Sequence, residues 1–246
     1  MLFLVTAMTG CNPSSDGGTL PKGEANADTA KPPAAGTKGG GNADKSVADA
    51  GNKSATGQTP TPGPRANLVI AGGCFWCVEA VFEELDGVYE AVSGYAGGTK
   101  ETANYDAVSA GTTRHAEAVQ IVFDPTKISV EKLLSVHFAT HDPTTLNRQG
   151  YDTGPQYRSA IFYANDEEKK TAEAMIKRLN ESGVFKNKIV TTLEPLTAFY
   201  PAEAYHQNYV CNNPYNRYVQ GVAMPKVDKV REKFKTELKK ESPLKE

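Results

Sequence analysis

Cys74 and Cys77 stand three residues apart in Gly72-Gly73-Cys74-Phe75-Trp76-Cys77-Val78-Glu79. A thiolate is a strong nucleophile, and a second thiol one helical turn away can attack whatever the first becomes. Phe75 and Trp76, between them, are large and flat and suit an apolar group docked beside a reactive sulfur. The pair therefore marks a redox or nucleophilic thiol site. Half of a zinc site is a competing reading, but no second pair follows, and the remaining ligand candidates are Cys211 and four scattered histidines. Two inert buried cysteines are a second competitor, disfavoured by the glycine turn that precedes them. On local pattern alone a thioredoxin-like dithiol stays open, because Cys-x-x-Cys at the head of a strand–helix unit is its mark.

The elements that must position this site are legible around it. Asn67-Leu-Val-Ile-Ala71 is a short apolar run, and Val78, Val81, Phe82 and Leu85 fall at i, i+3, i+4 and i+7. The pattern predicts strand, glycine turn and helix, with Cys74 at the helix start. Unpaired backbone N–H groups and the helix dipole are expected to lower the Cys74 pKa there. Val88–Val92 reads as a strand leading into a turn-rich loop at residues 94–98, and residues 116–123 alternate as a strand stopped by Asp124-Pro125. Ser129 is placed to cap a helix through Thr140, and a polar loop runs from His141 to Gln156. Strands are expected at residues 157–163 and 189–193. Asn165 with Glu168 forms a capping box for a helix between them, and Pro201 suits the first turn of a helix through Tyr209. Val227, Val230, Phe234 and Leu238 make one stripe of a terminal helix with a solvated charged face. Strands and helices mix without strict βαβ alternation, which predicts an α+β fold, helices packed on a mixed sheet.

Other residues could carry chemistry. Glu117 lies inside a strand pattern, where a carboxylate either faces solvent or, in a pocket, becomes a general acid as desolvation raises its pKa. Tyr105 and Tyr157 are ordinary by default, and either could donate an O–H bond if it faced the thiol. Asp152 is most simply a turn residue, and His206 a hydrogen-bonded helix histidine.

Composition divides the 246-residue chain. Residues 12–66 hold no aromatic, and Leu20 and Val47 are their only large aliphatics, so this stretch reads as a disordered tether with a reach of roughly 40 Å. Residues 67–240 are the expected folded domain, and residues 241–246 a flexible tail. The first eleven residues read as the end of a signal segment: an apolar run, too short to span a bilayer, meets Met8-Thr9-Gly10-Cys11, which resembles a lipoprotein-processing box. No positive n-region precedes the run, so the start is expected a few codons upstream. Lipid anchoring through Cys11 in the cell envelope or periplasm is the expected location, with the cytoplasm as the alternative. The net charge of −2, with no long basic run, argues against nucleic acid as a partner.

Six segments, in order, carry a resemblance: Gly73-Cys74-Phe75-Trp76, Ser93-Gly94-Tyr95-Ala96-Gly97-Gly98, His115-Ala116-Glu117-Ala118-Val119, His141-Asp142-Pro143, Gln156-Tyr157-Arg158-Ser159 and Tyr205-His206-Gln207. Over residues 67–230 the chain resembles the A-type peptide-methionine sulfoxide reductases, the class that reverses methionine sulfoxide formation. The resemblance implies a ferredoxin-like core and reduction of the S epimer of methionine sulfoxide, free or in proteins. It implies Cys74 as nucleophile, Phe75 and Trp76 as the pocket for the S-methyl group, and Glu117 as the acid on the sulfoxide oxygen. Tyr105 and Tyr157 would hydrogen-bond that oxygen, and Asp152 would belong to the same polar wall. Cys77 is the natural resolving thiol, and an external dithiol such as thioredoxin would reduce the resulting disulfide. No metal or organic cofactor is implied, and a monomer is expected. Many relatives carry a resolving cysteine just after an Asn-Pro-x-x-x-Tyr segment; here Asn213–Tyr218 is followed by Val219, and Cys211 lies upstream. Arg114 and Pro155 also depart from the family pattern, at the entrance. A thioredoxin-like oxidoreductase and a tethered, non-catalytic binding module are the alternatives.

Overall fold

Seven residues, five of them buried, Ala66–Gly72, form strand β1, which opens the folded part of a computed structural model that describes residues 63–244. Leu68 and Ile70 point into one apolar cluster while Val69 and Ala71 point into another, so the strand is covered on both faces and reads as an unbroken apolar run. The tether and the anchor expected at Cys11 lie outside the described residues.

The remaining elements are α1 (Phe75–Glu83), β2 (Val88–Ala96), α2 (Tyr105–Ser109), β3 (Ala116–Phe123), α3 (Val130–Thr140), the short pair β4 (Arg148–Gln149) and β5 (Asp152–Thr153), β6 (Ser159–Tyr163), α4 (Asp166–Ser182), β7 (Thr192–Pro195), β8 (Phe199–Pro201), α5 (Tyr209–Asn212) and α6 (Met224–Lys233). The sheet runs β7-β6-β1-β3-β2-β8. All neighbours are antiparallel except β6 and β7. Its centre, β6-β1-β3-β2, with α1 after β1 and α3 after β3, is the βαββαβ order of a ferredoxin-like core. The α+β expectation holds.

The caps read from sequence are made. Ser129 Oγ accepts the Lys132 N–H at 3.2 Å, and Asn165 Oδ1 accepts that of Glu168 at 2.9 Å. Three expectations change. Pro201 does not begin a helix: Phe199–Pro201 extends the sheet along β2, with Tyr95 opposite Tyr200. A proline is tolerated on such an edge, where its missing N–H breaks no ladder. That pairing also draws the expected loop at residues 94–98 into β2 as far as Ala96. Phe199 packs so closely on Gly94 that a Cβ there would lie 2.4 Å from its ring. The strands expected at 157–163 and 189–193 begin later, at Ser159 and Thr192.

The C-terminal segment locks the back of α1. Helix α6 buries Val227 and Val230, and Arg231 bonds the buried Glu84 through two nitrogens at 3.0 and 3.3 Å. The stripe then leaves the helix: Phe234 ends α6, and Leu238 bridges to Leu85. Within the tail expected to be flexible at residues 241–246, the described part makes contacts with the folded domain. Leu244 is buried, and Ser242 Oγ donates to Glu84 at 2.6 Å. The carboxylate of Glu84 is what holds the tail.

Candidate active site

Gly73 has φ +94°, and a Cβ on it would meet the Gln149 side chain at 2.5 Å. Only glycine makes this turn at low cost, and the turn delivers Cys74 from the end of β1 to the head of α1. Gln149 is itself fixed by exchanging hydrogen bonds with the Asp142 backbone, both at 3.1 Å. His141 buttresses the same turn, its ring nitrogens bonding His137 O at 2.7 Å and Ser159 Oγ at 2.8 Å. Burial pushes its pKa down to about 4, so the ring is neutral. The His-Asp-Pro motif thus supports the thiol loop from behind.

Glu117 is buried, on the β3 face that also carries Val119, Ile121 and Phe123 into the core under α1. Its Oε2 accepts the backbone N–H of Phe75 at 3.2 Å. The first free N–H of α1 is therefore spent on a carboxylate, and Cys74 makes no side-chain cap bond. This reverses the expected effect on Cys74. Burial, a hydrogen bond with Cys77, and the negative charges of Cys77, Glu117 and Asp152 push its pKa well up. The hydrogen bond from Cys74 pushes that of Cys77 down, with help from Lys226 and Tyr218. In the resting site the Cys74 S–H donates to the Cys77 sulfur.

The oxygen donors stand on the same side. Tyr105 and Tyr157 both lie within electrostatic reach of Glu117 and Cys74. Burial and those neighbours push both phenols up, so each keeps its proton and remains a donor. Glu203 sets Tyr105 in place, accepting its backbone N–H at 2.9 Å and the Tyr95 hydroxyl at 2.9 Å. Asp152, on the β4–β5 hairpin, faces both cysteines, and its Oδ2 accepts the Tyr218 hydroxyl at 2.5 Å.

Phe75 and Trp76 make the apolar wall. Trp76 stacks on Tyr209 with ring centroids 3.7 Å apart, meets Tyr218 edge-on at 6.1 Å, and donates its indole N–H to His206 Nδ1 at 3.2 Å. Phe75 lies against His206 at 5.0 Å and Tyr95 at 5.9 Å. The segment that brings in His206 and Tyr209 is tied to α1 by Glu79, which accepts the Asn208 N–H at 2.8 Å and the Ser93 hydroxyl at 2.7 Å. Burial raises Glu79 to about 8.

All eight residues singled out by sequence thus converge: Cys74, Cys77, Phe75, Trp76, Tyr105, Glu117, Asp152 and Tyr157. His206 is hydrogen-bonded, as expected, but in a 3-10 turn and to Trp76. Tyr209 and Tyr218 were missed as site residues. Their proximity to Trp76 arises from tertiary packing, and only the tyrosine-rich run after Tyr205 hinted at it. Cys211, on α5, is disulfide-bonded and is not among the residues gathered around Cys74. Among the described residues no group of His, Cys, Asp or Glu is arranged to hold a metal ion. The arrangement brings a thiol, an apolar wall, a carboxyl and two phenols into one neighbourhood. It can hold a polar S–O group beside an alkyl chain, attack the sulfur, and protonate the oxygen.

A family model described as peptide methionine sulfoxide reductase matches residues 66–238. The peptide methionine sulfoxide reductase MsrA of Deinococcus radiodurans is 49% identical over 193 residues, covering 76% of this chain and 94% of that one. The MsrA of Haloquadratum walsbyi is 53% identical over 169 residues, 69% and 96% of the two chains. Among solved structures, reduced Mxr1 from Saccharomyces cerevisiae superposes with a TM-score of 0.59 at 34% identity, covering 62% of this chain and 87% of its own. Methionine sulfoxide reductase A of Corynebacterium diphtheriae gives 0.56 at 34%, covering 64% and 78%.

Proposed function

The chain belongs to the peptide methionine sulfoxide reductase family, and from that premise we propose how its residues carry out the thiol-dependent reduction of methionine sulfoxide. The S epimer, free or within a protein, docks with its S-methyl group on Phe75 and Trp76 and its oxygen toward Glu117, Tyr105 and Tyr157. Cys74 attacks the sulfoxide sulfur as Glu117 protonates the oxygen, a poor leaving group until then. The S–O bond breaks and the oxygen, with the Glu117 proton and the Cys74 thiol proton, leaves as water. Water then attacks the Cys74 sulfur, the bond from Cys74 to the substrate sulfur breaks, and methionine leaves. Cys74 becomes a sulfenic acid, and the proton shed by that water restores Glu117. The substrate sulfur gains the two electrons that Cys74 loses.

Cys77 then condenses with the sulfenic acid, releasing water and leaving a Cys74–Cys77 disulfide. An external dithiol of the thioredoxin type restores both thiols by exchange. The cycle runs on sulfur chemistry, without metal or organic cofactor. One observation carries this reading above the others: the buried Glu117 carboxyl, bonded to Phe75 N, shares its pocket with Cys74 and two phenols. A disulfide oxidoreductase has no use for an acid and two donors aimed at one oxygen.

Cys77→Ser tests the resolving step. With thioredoxin as the only reductant, it is expected to release one methionine per enzyme at the rate of the unaltered chain and then stall. Repeated rapid turnover would remove Cys77 as the resolving thiol.

A further inference from the structure

Among the described residues Tyr151 is 99% exposed, Tyr215 94% and Tyr205 53%. Tyrosine usually hides more of its ring than this, and each of the three is a chain neighbour of the site. Tyr205 is the outer end of the aromatic cluster. Its ring centroid lies 4.2 Å from that of His206, and it meets Tyr105 edge-on at 6.5 Å. The buried His206 ring is in turn 4.3 Å from Tyr105, 5.0 Å from Phe75 and 5.7 Å from Trp76. One run of rings therefore leads from the buried Phe75–Trp76 wall to a ring half in solvent.

Tyr151 is at the tip of the β4–β5 hairpin, in which Arg148 pairs with Thr153 and Gln149 with Asp152. Gln149 packs on Gly73, the turn that delivers Cys74, so the hairpin lies beside the thiol. Asp152 accepts the Tyr218 hydroxyl, and Tyr218 stands edge-on to Trp76 at 6.1 Å. That bond draws the segment before Tyr218 up to the hairpin. Tyr215 sits there, in the turn closed by the Asn216 N–H on Asn213 O at 3.1 Å, and Asn216 Oδ1 accepts the Tyr218 N–H at 2.8 Å. Three separate segments thus each bring an exposed tyrosine next to a residue of the pocket.

Resting on the reading of the pocket as a methionine sulfoxide site, we infer that Tyr151, Tyr205 and Tyr215 form a docking rim for the polypeptide on either side of the oxidised residue. A pocket that takes the end of a side chain leaves the backbone outside, and that backbone has to cross the mouth. An extended chain advances about 3.3 Å per residue, so two residues on either side stay within about 7 Å of the mouth. Exposed apolar surface continuous with a concave site marks a binding surface. Tyrosine suits a rim that meets many sequences: its ring offers a large contact area at low entropy cost and its hydroxyl adapts to polar neighbours. Contacts to the flanking chain are the same before and during the chemistry at sulfur, so they lower KM and leave kcat alone.

The test uses the full chain with dithiothreitol and two substrates: free methionine sulfoxide, and a short unstructured peptide carrying it at the centre. Y151S/Y215S is expected to raise KM for the peptide by about tenfold, with kcat and the kinetics on the free amino acid unchanged. Y205S, whose ring touches Tyr105, is judged by the ratio of kcat/KM on peptide to that on free substrate, which should fall by about threefold to tenfold. Unaltered peptide kinetics in Y151S/Y215S, or equal losses on both substrates in all variants, would overturn the rim. So would a defect seen only when thioredoxin replaces dithiothreitol, which would give the surface to the reductant, or loss of a dimer formed by the unaltered chain. Binding of a fluorescently labelled sulfoxide peptide, followed by anisotropy, separates the two readings. An unaltered chain that turned over neither substrate, yet bound the peptide through these tyrosines, would sink the sulfoxide chemistry and keep the rim.

Discussion

Cys74→Ser is expected to fold as well as the unaltered chain and to make no methionine. Cys74 occupies the N-cap of α1 without a side-chain cap bond, and serine is among the preferred residues at that position. The replacement removes one buried sulfur and keeps the volume close, so thermal unfolding should change little. A serine hydroxyl in the same place lacks both the acidity and the nucleophilicity of a thiol. Turnover should drop by on the order of 10⁴-fold or more, the scale seen when a nucleophile is removed from a site whose parts act as a unit. Methionine release measured by amino-acid analysis, beside an unfolding curve, checks both halves. A folded C74S variant with turnover within about tenfold of the unaltered chain would move the nucleophile elsewhere.

Glu117→Gln is expected to change turnover and thiol acidity in opposite directions. Glutamine keeps an oxygen to accept the Phe75 N–H, so the head of α1 and the pocket should hold their shape. It has no acid proton for the sulfoxide oxygen, and loss of a positioned general acid costs about 10²–10⁴-fold in rate. The same change deletes a negative charge that raises the Cys74 pKa. Thiolate absorbance titrated against pH should therefore show the pair ionising at lower pH in E117Q, while methionine formation falls. A variant that merely damaged the pocket would slow turnover without making the thiol more acidic. Slow turnover with an unshifted or raised titration would thus remove Glu117 from its double role.

Much of this site was legible in the chain because its local signals are strong. The glycine turn, the helical spacing after Cys74, the cap at Ser129 and the Asn165–Glu168 box each depend on residues a few positions apart, and each formed as read. Glu117 was legible in part. In residues 116–123 it shares the odd positions with Val119, Ile121 and Phe123, and a period of two places all four on one face. Read by parity, it belonged in the core and not in solvent. The Cys74 pKa was misjudged because burial of the thiol and its hydrogen bond with Cys77 raise it, with a smaller push from the Glu117 carboxylate that β3 brings to the helix N-terminus. Likewise Phe199–Pro201 became a strand through pairing with β2, which no local propensity announces. The wall of His206, Tyr209 and Tyr218 around Trp76 depends on Glu79 tying a distant segment to α1. Such tertiary contacts leave no periodicity to read.

The most direct measurement gives the full chain dithiothreitol and, separately, the S and R epimers of methionine sulfoxide, and follows methionine. Membership of the peptide methionine sulfoxide reductase family, with its resemblance to the A-type enzymes, predicts turnover of the S epimer alone. Turnover of R, or of neither by folded protein with reduced thiols, would contradict the account.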